Sequence, residues 1–222
     1  VFSAGELECG IFVEVGFSGD AGLRRSMSGK YSFTLRTEDR QRPLPSKIII
    51  GRQDTETIHH VALKFLAFCY FFRERLQIEP DLGNANIPFV PDLAQLDYEL
   101  RPALWIECGE CGVNKLNKLA VKVPEAEIWV VKRSMAAARD LLGAMGREEL
   151  RRDRYHLLAF DQDTFEELCN LTAGRNHVTW YKATMEPPGA GRRQNLPLEQ
   201  EPEIHMEYNG LWFQLPFQLL KF

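Results

Sequence analysis

The stretch Trp105–Ala120, WIECGECGVNKLNKLA, decides how this chain of 222 residues reads. It starts as the end of an apolar strand, breaks at Cys108–Gly109, and resumes as a helix. Within the helix Leu116, Leu119, Ala120 and Val123 recur at i, i+3, i+4 and i+7 and make one buried face. Lys115, Lys118 and Lys122 fall on another face. Asn114 is the expected N-cap, and the helix reaches about Lys122. A strand followed by an amphipathic helix is the repeating unit of an α/β sheet.

The same alternation continues downstream. AEIWVVK (126–132) is an apolar run of the kind found in a covered central strand. Ser134 caps a helix to about residue 152, YHLLAF is a strand, DTFEELCNL is a helix stopped by Gly174, and HVTWYKA is a strand. Upstream, KYSFTLRT (30–37) alternates Tyr31, Phe33 and Leu35 with polar residues, the period of a half-buried strand. KIIIG is a second short strand. A long helix is expected over roughly 55–77, with Asp54 or Thr55 as its N-cap and Glu56 in its first turn. From Val61 to Phe72 it is apolar nearly all round apart from Lys64, so it is buried on most sides. PFVPDLA and ALWIECG are expected to pair as adjacent strands. EIHMEY–NG–LWFQL carries Asn209-Gly210 between two alternating runs, a type I′ hairpin signal. Pro216 is expected to hold its last strand to an edge or to end it.

The net charge of −4 argues against a surface coated in basic residues, although a local basic groove is compatible with it. The longest apolar run, Phe65 to Phe72, is too short to span a bilayer, so no membrane partner is expected. Five cysteines, an odd number, follow a start with no basic segment leading into an apolar core. Reduced thiols and a cytoplasmic location are the expectation.

Two chemistries compete for the opening stretch. Cys108-x-x-Cys111 is a thiol pair for zinc or redox work. A structural zinc needs four ligands, and no second C-x-x-C and no H-x3–5-H is present. The redox version needs a thiol at a helix start, whereas Cys108 falls inside the strand run. The other chemistry uses carboxylates. Asp92 follows Pro91 on one strand, and Glu107 lies fifteen residues on, on the next. If these strands pair, two carboxylates converge, and hard cations such as Mg²⁺ take oxygen ligands. Gly109 shares the face of Glu107 and leaves it open. Lys115 and Lys118, near the helix start, can reach back toward Glu107, where a lysine orients a metal-bound water or meets phosphate charge. A solvated helix face explains the lysines equally well, and a turn explains Asp92. His59 and His60 read as a polar start to a buried helix, and REELRRDR (147–154) as a solvated helix end.

The order Pro91-Asp92 followed by Glu107-Cys108-Gly109 resembles the PD-(D/E)xK phosphodiesterase superfamily, with the lysine moved from the third position of E-x-K onto the following helix. More closely, TETIHHVALKFLAF, VPDLAQLDYELRPALWIECGECGVNKLNKLA and AEIWVVK resemble the YaeQ family, over roughly residues 30–182. That resemblance implies an α/β fold with a mixed central sheet flanked by helices, a nuclease-like core over 30–182, an N-terminal extension over 1–28, and a linker with an extra C-terminal β-hairpin over 185–222, all in one domain. It implies a site of Glu56, Asp92, Glu107, Lys115 and Lys118, with Lys118 the first choice for the lysine and Lys115 the second, Asp92 and Glu107 holding Mg²⁺ or Mn²⁺, and nucleic acid as the partner. The family has no established activity. The expected function is Mg-dependent cleavage of phosphodiester bonds. The alternatives are an inactive nucleic-acid or protein binding module on the same fold, or a redox or zinc protein using Cys108 and Cys111.

Overall fold

The structure is a computed structural model, and it describes residues 27–84, 86–187 and 201–222. Residues 1–26 of the expected N-terminal extension, whose apolar patch GIFVEVGF reads as a weak strand, and the linker residues 188–200 lie outside the described residues. The elements in chain order are β1 (Met27–Thr37), β2 (Lys47–Gln53), α1 (Ile58–Tyr70), β3 (Leu76–Ile78), β4 (Leu93–Leu96), β5 (Pro102–Cys108), α2 (Val113–Lys122), β6 (Glu127–Lys132), α3 (Met135–Arg147), β7 (Tyr155–Phe160), α4 (Gln162–Leu171), β8 (Arg175–Ala183), β9 (Glu203–Tyr208) and β10 (Leu211–Lys221).

One mixed sheet carries the strands in the order β2-β1-β8-β9-β10-β7-β6-β5-β4-β3. The pairs β5–β6 and β6–β7 are parallel, as the helical crossovers α2 and α3 require, and β4–β5 is the expected antiparallel hairpin. The two edge strands, β2 and β3, both pack on α1, so the sheet curls around that helix. Every residue of α1 from Val61 to Tyr70 is buried, Lys64 included. Phe65 stacks on Phe33 with ring centroids 4.3 Å apart, and Phe71 just past the helix meets Trp129 at 4.8 Å. On the opposite face of β5–β7, Trp105, Ile128, Val130 and Leu157 pack with Leu116, Leu119, Ala138 and Met145 of α2 and α3. Alternate residues of β5 therefore serve two different cores: Ile106 and Cys108 face α1, and Trp105 faces α2.

Several boundaries differ from expectation, each for a local reason. The long helix begins after Thr57, not at Asp54 or Thr55, and stops at Tyr70. Glu56 thus lies in the turn before the helix and is no first-turn charge. At the other end the buried Arg42 guanidinium donates to the carbonyls of Cys69 (2.8 Å) and Tyr70, and satisfies the last turn with a positive charge. Gly112, not Asn114, is the N-cap of α2. Ser134 does cap α3, accepting from the Ala137 N–H at 3.2 Å, but the helix ends at Arg147. The following REELRRDR stretch is a turn anchored by buried Leu150, with Arg154 donating to the carbonyls of Val123 and Ala126.

The largest difference is the C-terminal hairpin. It is no appendage: β9 and β10 lie in the middle of the sheet, between β8 and β7. Pro216 neither ends its strand nor marks an edge. β10 pairs with β9 up to Pro216 and with β7 from Phe217 onward, so the missing N–H falls where the strand changes partner. The turn is as expected, with φ of 51° at Asn209 and 83° at Gly210. Asn209 does more than turn. Its Nδ2 donates to the Leu171 carbonyl at 2.9 Å and to Asn176 Oδ1 at 3.0 Å, and its Oδ1 accepts from the His177 N–H at 2.8 Å. Asn209→Ala is expected to lower the unfolding free energy by about 2 kcal/mol, read from a urea melt, because it loses these bonds and the left-handed tolerance together.

Candidate functional site

At the C-terminal end of β5 the chain forms a cleft of about 410 Å³. Three local structures build its α1 side. The β2–α1 turn is stapled by its own acid, with the Gln53 N–H donating to Glu56 Oε2 at 2.9 Å. His60 and Lys64, four residues apart, fall along one edge of α1, and Glu56 from the turn before the helix meets both there. The third piece is the loop before β4. Glu79 takes a φ of 46° and donates its N–H to the Asp92 carbonyl at 2.9 Å, which sets the two acids beside each other.

Asp92 is the hub. Its Oδ2 accepts the backbone N–H of Cys108 at 2.7 Å, tying it to the end of β5. Its Oδ1 lies 2.8 Å from His60 Nε2 and 3.7 Å from Lys64 Nζ. Burial pulls the Asp92 carboxyl up, but the His60 hydrogen bond, the His60 and Lys64 charges and the Cys108 N–H together outweigh it and hold the group below the usual carboxylate range. Lys64 shows the mirror image. Burial favours its neutral form, yet Asp92, Glu79 and Glu56 around it raise its proton affinity, so it is an ammonium with no exposed surface. Its Nζ donates to Glu56 Oε1 at 2.6 Å and to Glu79 Oε1.

Glu107 approaches from the other face of the strand. It shares the side of β5 that carries Trp105, whose Nε1 donates to Glu107 Oε1 at 2.8 Å. Lys115 Nζ, from the first turn of α2, donates to Oε2 at 2.6 Å and lies 5.8 Å from the centre of the Phe89 ring. Burial, and next to it the Asp92 charge, push the Glu107 carboxyl above its ordinary range, with Lys115 and Trp105 opposing them. Gly109 closes the strand end at a φ of 76°, where a Cβ would rest 3.8 Å from Leu63 and 3.9 Å from His60. A side chain at the third position of an E-x-K pattern would have to adopt that left-handed conformation.

The cleft thus gathers four of the five expected residues: Glu56, Asp92, Glu107 and Lys115. Lys118 is exposed on α2 and does not line it. Lys64 and Glu79 were not expected there, and His60 was read as a helix start. One ligand atom each from Glu56, His60 and Asp92 falls within 4.8 Å of the others, the one such group found among the described residues. Glu107 stands outside that trio because it sits on the far face of β5.

The thiols fare differently. Cys108 and Cys111 are buried and free, and join no group of ligands among the described residues. Burial and then the Asp92 charge push the Cys108 thiol well up, and burial and then Glu107 push Cys111 to about 12. A reactive thiol has the opposite shift. The native protein is expected to leave Cys108 and Cys111 unlabelled by an aromatic disulfide reagent on the minute scale, and to release both on unfolding in urea; rapid labelling of either would restore the thiol chemistry.

The YaeQ protein family profile matches residues 25–181 of this chain. Among solved structures, the YaeQ protein from Xanthomonas axonopodis pv. citri is 19% identical with a TM-score of 0.61, and the match covers 88% of this chain and 99% of that one. The YaeQ protein from Pseudomonas syringae is 17% identical with a TM-score of 0.62, covering 90% and 98%. At such identities the likeness is one of fold. No curated protein matches the chain. The family match spans most of the sequence and contains every residue of the cleft: the chain belongs to the YaeQ family.

Proposed function

We propose that the cleft binds one Mg²⁺ or Mn²⁺ ion and hydrolyses phosphodiester bonds of nucleic acid, on a PD-(D/E)xK-like core. The observation that carries this reading is the charge of the cleft. Asp54, Glu56, Glu79, Asp92, Glu107 and Glu110 line it, against Lys115 at its wall and Lys64 beneath. Such a surplus of carboxylate repels a phosphate unless a cation sits between them. Glu56, His60 and Asp92 fit that cation: ligands of one ion lie within roughly 4–5 Å of each other, and an imidazole beside two carboxylates suits Mn²⁺ as well as Mg²⁺.

A bound ion supplies charge to neutralise the phosphate and lowers the pKa of a water. The chain's own residues do the rest. Asp92 is held ionised and fixed to the strand end, and Glu56 is aimed by Lys64 and by the Gln53 N–H. Glu107, with its raised proton affinity, can exchange a proton with a water at the cleft floor. Lys115, next to it, meets phosphate oxygen with a positive charge. In this reading the role of the displaced lysine falls to Lys115, which lines the cleft, and not to Lys118.

The test pairs Mn²⁺ titration with cleavage of single- and double-stranded DNA and RNA. Wild type is expected to bind Mn²⁺ and cleave at least one of them. Glu107→Gln is expected to keep the ion and lose cleavage by on the order of 100-fold or more. Mn²⁺ binding without any cleavage would favour the second reading, a nucleic-acid binding module on the same fold, to which the glycine at position 109 already lends weight. No Mn²⁺ binding at all would sink the metal reading.

A further inference from the structure

Among the described residues, Lys64 is a buried cation that a purely structural role explains poorly. It sits in the middle of the most apolar helix among the described residues, has no exposed surface, and points into a cluster of acids instead of snorkelling to water. A methionine would fill the same space in the core, and exchanging a buried charge for an apolar side chain of similar volume is often neutral or favourable when its partners change with it. What the ammonium does is hold three carboxylates at one point.

The oxygens it holds are shared. Glu56 Oε1 lies 2.6 Å from Lys64 Nζ and 3.6 Å from His60 Nε2. Asp92 Oδ1 lies 3.7 Å from Lys64 Nζ and 2.8 Å from His60 Nε2. The same two oxygens therefore serve the Lys64 ammonium and the Glu56–His60–Asp92 group. Glu79 completes the ammonium's shell on the inner side. Two carboxylate oxygens common to an ammonium and a candidate ion position, with a further acid terminal to the ammonium, match the layout of a two-cation carboxylate site, in which the ions sit about 3.5–4 Å apart.

We infer that Lys64 is the built-in cation of a two-cation site: its ammonium fills the inner position, formed by Glu56, Asp92 and Glu79, and leaves a single outer position, on Glu56, His60 and Asp92, for a divalent ion. The inference rests on the metal reading of the cleft for the outer ion and on geometry alone for the inner one. It gives the cleft a fixed stoichiometry. A second divalent ion is excluded because its place is covalently occupied. It also gives the helix a reason to carry a charge where its neighbours are all apolar: the inner acids stay neutralised at every metal concentration, and the outer ion can come and go without unfolding the cleft.

The experiment counts Mn²⁺ by equilibrium dialysis and by the loss of the free-ion electron paramagnetic resonance signal, with thermal unfolding followed in parallel. Wild type is expected to bind one ion. Lys64→Ala vacates the inner position and is expected to bind two, with a Mn²⁺-dependent rise in Tm larger than that of wild type. Lys64→Ala with Glu79→Gln removes an inner ligand and is expected to return to one. If Lys64→Ala fails to fold in metal-free buffer, millimolar Mn²⁺, and not KCl of equal ionic strength, is expected to restore its near-ultraviolet circular dichroism. Two ions in wild type would overturn the inference. So would a folded Lys64→Ala that binds no more ions than wild type, or a variant that Mn²⁺ cannot refold. None in wild type but one in Lys64→Ala would uphold the inner position and bring down the metal reading of the proposed function, so the two can fail separately.

Discussion

Lys64→Met is expected to lower the unfolding free energy by about 3 kcal/mol in metal-free buffer at neutral pH, and to lower Tm by roughly 6–12 °C for a chain of this size. The substitution keeps the volume of the side chain and removes its charge, so the loss measures the acids it leaves behind. Glu56, Glu79 and Asp92 would then face one another without a counter-charge. Breaking a buried ion pair from one side costs roughly 3–5 kcal/mol. The lower end applies because the Glu79 and Glu56 side chains keep 22% and 11% of their exposure, and water screens what it reaches. The sign of the pH dependence follows from the shift. The proton affinity of Lys64 is raised in the fold above its ordinary 10.5. Its contribution is therefore complete at every pH below that value and is lost only as pH rises through the higher folded value. Across the neutral range the wild-type contribution is flat. The variant's deficit shrinks in acid, where the three acids take up protons and need no partner. Adding Glu79→Gln to Lys64→Met removes one orphaned charge and is expected to recover about 1 kcal/mol, a coupling that a double-mutant cycle in urea isolates. A loss below about 1 kcal/mol for Lys64→Met would show that these four groups are not one charge unit.

The unit was partly legible in the chain. A lone Lys64 inside TIHHVALKFLAF announces itself, since a charge with apolar neighbours on all sides has to find anions. Which anions was hidden. Glu79 lies fifteen residues on in a Pro/Gly/Asn loop, and only its left-handed backbone and its bond to the Asp92 carbonyl bring it in. Asp92 and Glu107 were visible as a pair because strand spacing is regular, and both line the cleft. Spacing did not say how each arrives: Asp92 caps the end of β5, and Glu107 points with Trp105 to the far side. The choice between Lys115 and Lys118 was not decidable from helix phase. The resemblance favours Lys118 and puts Lys115 second, whereas in the fold it is Lys115, in the first turn of α2, that reaches Glu107. The strands and helices from 100 to 180 follow their local periodicity closely. The hairpin position does not, because a local turn signal such as Asn209-Gly210 fixes a hairpin and says nothing of which strands flank it.

Asp92→Asn is expected to weaken Mn²⁺ binding by on the order of 100-fold or more, beyond the 10–100-fold typical of losing a group that only supports a ligand. The amide keeps the shape of the hub and can still accept the Cys108 N–H, so the end of β5 should hold. What it loses is charge, and two neighbours depend on that charge. His60, at 2.8 Å, is oriented by the carboxylate, and Lys64, at 3.7 Å, would be left with Glu56 and Glu79. The acid side of the stability curve separates this effect from simple disruption. Asp92 is held below its ordinary 3.8 in the fold. Its ionised form therefore contributes fully at pH above 3.8, and the contribution is lost as pH falls below that value and through the lower folded one, where the unfolded chain takes up the proton first. Asp92→Asn lacks this contribution at every pH, so its urea midpoint should fall less steeply than that of wild type below about pH 4, and the two curves should converge there. A variant that loses Mn²⁺ while its acid limb stays parallel to wild type would mean that Asp92 ligates an ion without anchoring the cluster. A variant that keeps Mn²⁺ would remove Asp92 from the proposed metal site, and with it the residue that ties the α1 side of the cleft to the end of β5.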